Sequence, residues 1–425
     1  MKEAFILLRV AATVPILLIL FTNCSFIHTG RIGYEVKAID AVRNLNPEVS
    51  DENFDAIVKG NSEFAFELYQ KLKDSEGNLF FSPYSLSVAL GMTWAGARGE
   101  TEKQMHEVMH FIMPQEVTHN ALNKLDLALS NRQDVTLNIA NSIWCQKDEK
   151  FMPDFLNIIT TNYNSGIHAA DFVKYKEESR KEINKWVEEK TNSKIIEFLP
   201  PESVDDLTVM VLINAIYFLG EWEYKFEVEN TEIGDFILLD GSSVKVPYMR
   251  QAVKIPMYWD PQDGYSAIQL PYKEGNIAMV ILLPIPNKFQ EFEDNLSMEK
   301  LNEITSKFYI PHGVSLILPK VKLAASLRLS DVLKRMGMLN AFETTADFSG
   351  MNGSGGIWID EVYHKAFVSI DEAGTEAAAA SGVAMTRGGG NGYFWATSPF
   401  IFVIMDIESK SLIFMGRVLN PLKTE

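Results

Sequence analysis

The chain has 425 residues, of which 47% are apolar, and its 39 basic side chains face 56 acidic ones for a net charge of −17. Such an excess of acid argues against nucleic acid and anionic membrane surfaces as partners, and is silent on fold. The length suggests two or three domains, yet no Pro/Gly/Ser-rich linker, internal repeat or low-complexity tract divides the chain.

At the N-terminus, Lys2 and Arg9 flank an apolar run from Val10 to Phe21 broken only by Thr13 and Pro15. This run is too short for a comfortable transmembrane helix and suits the core of an export signal. Cys24 closes Phe21-Thr-Asn-Cys24, a distant likeness to a bacterial lipoprotein cleavage site in which Asn23 is a poor match. Residues 1–24 therefore read as a signal peptide or a lipoprotein-type export segment, with an uncleaved anchor as the alternative. The protein is expected to be secreted, with a membrane tether only through this end. Residues 25–57 are polar and mixed and read as a tether ahead of one globular domain over 58–425.

Within that domain, helical periodicity predicts helices over Asn61–Leu72, Ser85–Trp94, Glu100–Phe111, Pro153–Tyr163, Lys176–Glu189 and Leu329–Met336. Strands are predicted over Val135–Trp144, Thr208–Phe218, Ser266–Gln269, Ala278–Leu283, Ser315–Leu318, Trp358–Ile370, Phe400–Met405 and Ser411–Val418. Helices lead and strands dominate the C-terminal half, an α+β order. Cys145, in Ile143-Trp-Cys-Gln146 at the end of an alternating run, reads as a buried strand thiol. If Cys24 is removed or modified, no internal disulfide remains.

His106-Glu-Val-Met-His110 matches the H-E-x-x-H pattern of zinc proteases on a predicted helix, where a spacing of four puts both imidazoles on one face. A third ligand is wanting. Glu116 and His119 follow, but Pro114 breaks the helix before them, and Met113 stands where one zinc-protease family needs glycine. Two partly exposed histidines on a surface helix is the preferred reading, and no metal is expected. Arg387-Gly-Gly-Gly-Asn-Gly392 is glycine-rich but lacks a following Lys-Ser/Thr and a helix start, which argues against a phosphate-binding loop.

The most distinctive segment runs from Asp371 to Gly392. Turn chemistry is sparse in its first half, which carries four consecutive alanines, Ala377, Ala378, Ala379 and Ala380, behind Gly374. Read with a period of two, it places Thr375, Ala377, Ala379, Ser381, Val383 and Met385 on one uncharged face. Such a segment is able to enter a sheet as a strand, with Gly374 as the point where the backbone turns. An exposed alanine-rich helix or a tolerant linker is the plainer alternative.

Context decides between them. Asn78-Leu-Phe-Phe-Ser-Pro-Tyr-Ser85, Gly96-Ala-Arg-Gly-Glu-Thr101, Leu212–Trp222, Leu270-Pro-Tyr-Lys273, Val362–Glu372, Ser398–Met405 and Leu412–Pro421 stand in one order around this segment. Together they closely resemble the serpin family of serine protease inhibitors, over roughly residues 58–421. The resemblance implies a single α+β domain with three β-sheets, about nine helices and an exposed reactive-centre loop near 373–398. It implies an inhibitor and not an enzyme, a monomer without cofactor that a target serine protease attacks as a suicide substrate to form a covalent acyl complex. A non-inhibitory binding protein of the same fold is the alternative.

The resemblance also implies roles for residues. Ser82, Ser85, Asn214 and His364 would form a polar cluster under the central sheet where strands part. Trp222, Lys320 and Glu372 would lie near the top of that sheet, where insertion starts, with Gly374, Thr375 and Ala377–Ala380 as the hinge. Counting from the hinge glycine in the family's frame puts the scissile bond at Gly388-Gly389. Arg387 is one residue earlier and suits a pocket containing a carboxylate, so Arg387-Gly388 with a trypsin-like target is favoured. Cleavage after Gly388, Ala384 or Met385 would suit elastase-like, subtilisin-like or chymotrypsin-like enzymes. The chain departs from the family in two places: Gly388 to Tyr393 lacks the proline often found there, and Glu223–Glu227 replaces a proline-containing turn. No helix carries a dense basic stripe, and Glu100 to His110 offers only Lys103, so heparin-like polyanions are not expected as partners.

Overall fold

The computed structural model describes residues 33–38, 41–132, 135–375 and 392–424. In chain order they form β1 (Gly33–Val36), α1 (Asp51–Leu72), β2 (Leu79–Phe81), α2 (Pro83–Trp94), α3 (Gly99–Val108), α4 (Gln115–Ser130), β3 (Val135–Gln146), α5 (Pro153–Tyr163), β4 (Ile167–Ala170), α6 (Phe172–Lys190) and β5 (Met210–Glu221). Then follow β6 (Glu232–Ile237), β7 (Ser243–Val253), β8 (Met257–Asp260), β9 (Tyr265–Pro271), β10 (Ile277–Pro284), α7 (Phe289–Asp294), α8 (Met298–Ser306), β11 (Val314–Pro319) and β12 (Val321–Arg328). The last elements are α9 (Ser330–Met336), α10 (Ser349–Asn352), β13 (Glu361–Ile370), β14 (Gly374–Thr375), β15 (Gly392–Trp395), β16 (Phe400–Asp406) and β17 (Leu412–Val418).

The strands make three sheets, as expected, with ten α-helices among the described residues against the expected nine or so. A seven-stranded sheet has the order β1-β4-β3-β5-β14-β13-β12, a six-stranded one β2-β17-β16-β10-β9-β8, and a four-stranded one β15-β11-β7-β6. In the first, β5 is antiparallel to β3 and parallel to β13. The Val211–Phe218 stretch of β5 is buried throughout, so it reads as a continuous apolar run and not as an alternating one. One face of this sheet packs against the main core; the other packs Ala140, Ile213, Ala215 and Tyr363 against Ile183 and Val187 of α6.

Helix α2 fills the main core. All twelve of its residues are buried, its N-cap is Ser82, and Pro83 at the first position has no amide proton to leave unsatisfied. Among the described residues no helix is long and apolar enough to cross a membrane. Residues 1–24, Ala377–Ala380 and Arg387–Gly389 lie outside the described residues.

Two expectations are corrected. Part of the segment read as a tether is built into the domain: β1 pairs antiparallel with β4 from Gly33–Ala170 to Val36–Ile167. Helix α1 begins at Asp51, not Asn61, because Ser50 caps it, its hydroxyl accepting from the Asn53 amide at 3.2 Å, with Asp51 and Glu52 in the first turn. Gly60 lies inside α1, where a Cβ would meet the His110 carbonyl oxygen at 2.5 Å, so the close approach requires glycine.

Candidate functional site

Strand register assembles a polar row across the seven-stranded sheet. Asn141 on β3 stands opposite Asn214 on β5, and Asn214 opposite His364 on β13. Cross-strand neighbours share a face, so all three side chains project together. The N-terminus of α2 meets them there with Ser82 and Ser85.

The hydrogen bonds fix the state of the imidazole. The Ser82 amide donates to His364 Nε2 at 3.2 Å, so that nitrogen carries no proton, and Nδ1–H donates to Asn214 Oδ1. Asn214 Nδ2 donates to Ser85 Oγ at 2.6 Å and to Asn141 Oδ1; Asn141 Nδ2 donates to the Ser85 carbonyl at 3.2 Å. The Ser82 hydroxyl donates to the Ile413 carbonyl at 2.7 Å and accepts from the Ser85 amide at 3.1 Å. Ser82, Ser85, Asn214 and His364 have no exposed surface. Burial pushes the His364 imidazole down to about 3, so it is neutral. With Nε2 taken by a backbone amide and the Ser82 hydroxyl turned to a carbonyl, this Ser–His–Asn grouping holds no activated nucleophile. It is a satisfied neutral network tying three strands to a helix end.

Trp222 and Lys320 belong to a second group at the top of the same sheet. From Glu361–Val211 to Phe367–Tyr217, β13 and β5 are directly paired. Above that, β14 stands between them, with Gly374 opposite Glu221, Thr375 opposite Gly220, and Ile370 opposite Thr375. Only glycine fits at 374: a Cβ there would lie 2.1 Å from the Gly220 carbonyl oxygen and 2.6 Å from Glu221 Cα. Thr375 is fully buried, its hydroxyl 2.8 Å from that of Tyr272. The Tyr272 ring stacks on Trp222 with centroids 4.6 Å apart, and the Trp222 indole N–H donates to the Asp371 carbonyl at 3.0 Å.

Glu372 is held beside this stack. Lys320 Nζ donates to one carboxylate oxygen at 2.6 Å and Thr231 to the other at 2.7 Å. Burial works to raise the Glu372 carboxyl, but these two donors outweigh it and hold the group below the usual range. The segment after Trp222 also serves here, since the Phe226 amide donates to the Glu372 carbonyl at 2.9 Å.

The chain re-enters at Gly392 as β15, parallel to β11. The expected reactive loop over 373–398 is thus anchored in sheets at both ends, which leaves residues 376–391 between them. Asn141, absent from the expected set, belongs to the polar row. Its only sequence signal is an amide two residues after Ile139, in a strand that also carries Thr136, Asn138 and Ser142.

The histidine pair of the zinc-protease pattern does not share a helical face. Helix α3 stops at Val108, and His110 takes a left-handed conformation with φ of 52°. Its Nε2 lies 2.8 Å from Glu67 on α1, while His106 packs its ring against Trp94. Cys145 is buried, and desolvation pushes its thiol up, away from reactivity.

Three comparisons bear on this arrangement. The family model described as "Serpin (serine protease inhibitor)" matches residues 59–421. A leukocyte elastase inhibitor of Xenopus tropicalis is 40% identical over 369 residues, covering 84% of this chain and 97% of the relative. Among solved structures, the thermophilic serpin tengpin in its native state superposes with a TM-score of 0.82 at 31% identity, covering 91% of this chain and 99% of that one. Human thyroxine-binding globulin complexed with thyroxine gives a TM-score of 0.81 at 28% identity, covering 87% and 100%.

Proposed function

Because this chain belongs to the serpin family, we propose that it is a suicide inhibitor of serine proteases, with a trypsin-like or subtilisin-like target. The protease serine attacks the carbonyl of Arg387 or Gly388 and an acyl ester forms. The leaving amine becomes the new N-terminus of the C-terminal fragment, at Gly388 or Gly389. The segment from Thr375 onward, still esterified to the protease, then enters between β5 and β13 as a new central strand.

The observation that carries this reading is β14. Two residues of the segment already occupy the slot, in antiparallel register with both neighbours. As further residues enter they part the seven direct pairs of β5 and β13 and gain antiparallel bonds on two sides. About a dozen residues would add on the order of ten hydrogen bonds at roughly 0.5–1.5 kcal/mol net each. That sum matches the roughly 5–15 kcal/mol that holds a whole domain, enough to distort the active site of the attached protease. The small uncharged face of Thr375, Ala377 and Ala379 suits the core side, and the bond from His364 to Asn214 is one that the entering strand must break. That network therefore keeps the sheet shut before cleavage.

Lys2, Arg9 and the Val10–Phe21 run support export ahead of this activity, which N-terminal sequencing of the mature protein checks. The inhibitor reading is tested by incubating the protein with trypsin, subtilisin and elastase separately, followed by a denaturing gel and mass spectrometry of the C-terminal fragment. A covalent band and a fragment starting at Gly388 are expected; a start at Gly389 moves the bond by one residue. Cleavage without a band across a wider panel would overturn the inhibitor reading in favour of a binding protein of the same fold.

A further inference from the structure

Strand β15 is an edge strand with an unusual sequence for one. Among the described residues, Gly392-Tyr-Phe-Trp395 pairs with β11 and with no strand on its other side. Its alternation buries Phe394 in the core and turns Tyr393 and Trp395 outward, 60% and 50% exposed, with ring centroids 5.7 Å apart at 83°. Edges are ordinarily blunted with charge or proline, and two outward aromatic rings on an edge invite unwanted association.

The surface continues on both sides. Across the four-stranded sheet, Tyr393 stands opposite the half-buried Ser315, and Trp395 opposite Ile317, which is buried and stands opposite the half-buried Arg250. On the other side Tyr393 is one wall of a groove of about 200 Å³ whose far wall is Trp259, 45% exposed, on the edge strand β8 of the six-stranded sheet. Ile285, also exposed, lines the same groove. The edge strands β15 and β8 thus both contribute to one aromatic strip.

We infer that this strip is a docking surface for the target protease in the encounter complex, taking the apolar rim of its cleft on the leaving-group side. The inference rests on the loop-cleavage reading above. Its occupant follows from chain length: the fourth residue after Gly389 is Tyr393, so the bond and Tyr393 are at most about 14 Å apart however the chain runs between them. A protease domain of some 230 residues has a radius of gyration of roughly 17 Å. Its body is larger than that tether, so an enzyme holding the bond is confined beside Tyr393 and Trp395. Contacts made there act during encounter and exert no pull on the inserted strand. They set the rate at which the loop is attacked and leave unchanged the partition between trapping and release.

The experiment compares wild type with the double variant Tyr393→Ser/Trp395→Ser and with Trp259→Ser, using trypsin, chymotrypsin, subtilisin and elastase. The rate constant for loop cleavage is defined whether or not the acyl-enzyme is trapped, so it tests the docking surface, while the covalent fraction separately tests the inhibitor reading. For the protease that attacks wild type fastest, the double variant is expected to be cleaved about tenfold more slowly, and Trp259→Ser about threefold. The covalent fraction and thermal midpoint should stay at the wild-type values. A synthetic peptide of residues 380–391, which ends before Tyr393, should be cut no faster than the double variant. Rates within twofold of wild type in both variants would overturn the inference. So would a wild-type dimer at micromolar concentration that the double variant abolishes, since the strip would then serve a second copy of the chain. Loss of the covalent band with the rate difference intact would remove the inhibitor reading and keep the docking surface; no cleavage by any of the four would remove both.

Discussion

His364 and His119 are both neutral in the fold, held there by burial that takes each imidazole down to about 3. In the unfolded chain an imidazole takes up a proton below about 6.5. Between those values the unfolded state binds more protons, so stability falls as the pH drops from 6.5 toward 3, and these two groups have no effect above 6.5. Each is expected to remove about 1.2 kcal/mol by about pH 5.5 relative to pH 7. Denaturation midpoints measured from pH 7.5 to 5 check this, and a flat profile would contradict the neutral assignment. Some of this residue-scale picture is legible in the chain. His364 among Ala366, Phe367 and Val368 reads as a structural histidine, and the family resemblance pairs it with Asn214. Asn141 is not legible, because its place depends on the register of β3 against β5, which no local pattern reports. His110 misleads for a related reason: helix periodicity runs on past Val108, but His110 takes a left-handed turn beside Gly60, whose missing side chain lets the two backbones touch.

Strand β14 is the element on which loop behaviour turns. Thr375 sits fully buried against Tyr272, so arginine in its place would put a charge where no partner waits, at a cost of several kcal/mol. Thr375→Arg should expel β14 and hold later residues out of the slot. The expected outcome on a denaturing gel is loop cleavage at near the wild-type rate with the covalent band lost, while Thr375→Ala keeps the band. A full covalent band from the arginine variant would break the link between strand entry and trapping. That the segment behind Gly374 is able to enter a sheet is legible from the period of two and its small residues. That two residues are already inside the sheet is not, since this depends on the register that sets Gly374 opposite Glu221 and close against the Gly220 carbonyl. Strand β1 escapes sequence reading because four residues of mixed polarity carry no period; β4 supplies its structure by pairing with it. The α1 start is marked in the sequence by Ser50 as a cap followed by Asp51 and Glu52, a signal outside the periodicity that places the helix at Asn61.

For the molecule as a whole, the proposed mechanism turns on the free energy that strand entry would release. The arrangement of sheets leaves β5 and β13 paired in parallel along seven residues, with an antiparallel wedge above them. Parallel pairing is slightly weaker per residue than the antiparallel pairing that would replace it on both sides. Under the proposed mechanism the uncut protein is held in a less stable arrangement by connectivity together with the His364–Asn214 network, since the segment between Thr375 and Gly392 cannot enter fully while its far end is fixed in β15. Cutting it near Gly388 removes that restraint. With a gain of about 5–15 kcal/mol, and an unfolding entropy of roughly 2.1 cal/mol/K per residue over the matched span, the thermal midpoint should rise by about 7–20 °C. Differential scanning calorimetry before and after limited cleavage at the loop measures this directly. Other cuts in surface loops lower the midpoint or leave it unchanged, because they release chain entropy without adding a strand. A rise confined to cleavage between 376 and 391 thus separates stored strain from ordinary nicking, and a fall after that cut would mean that the wedge at Gly374 is where insertion ends.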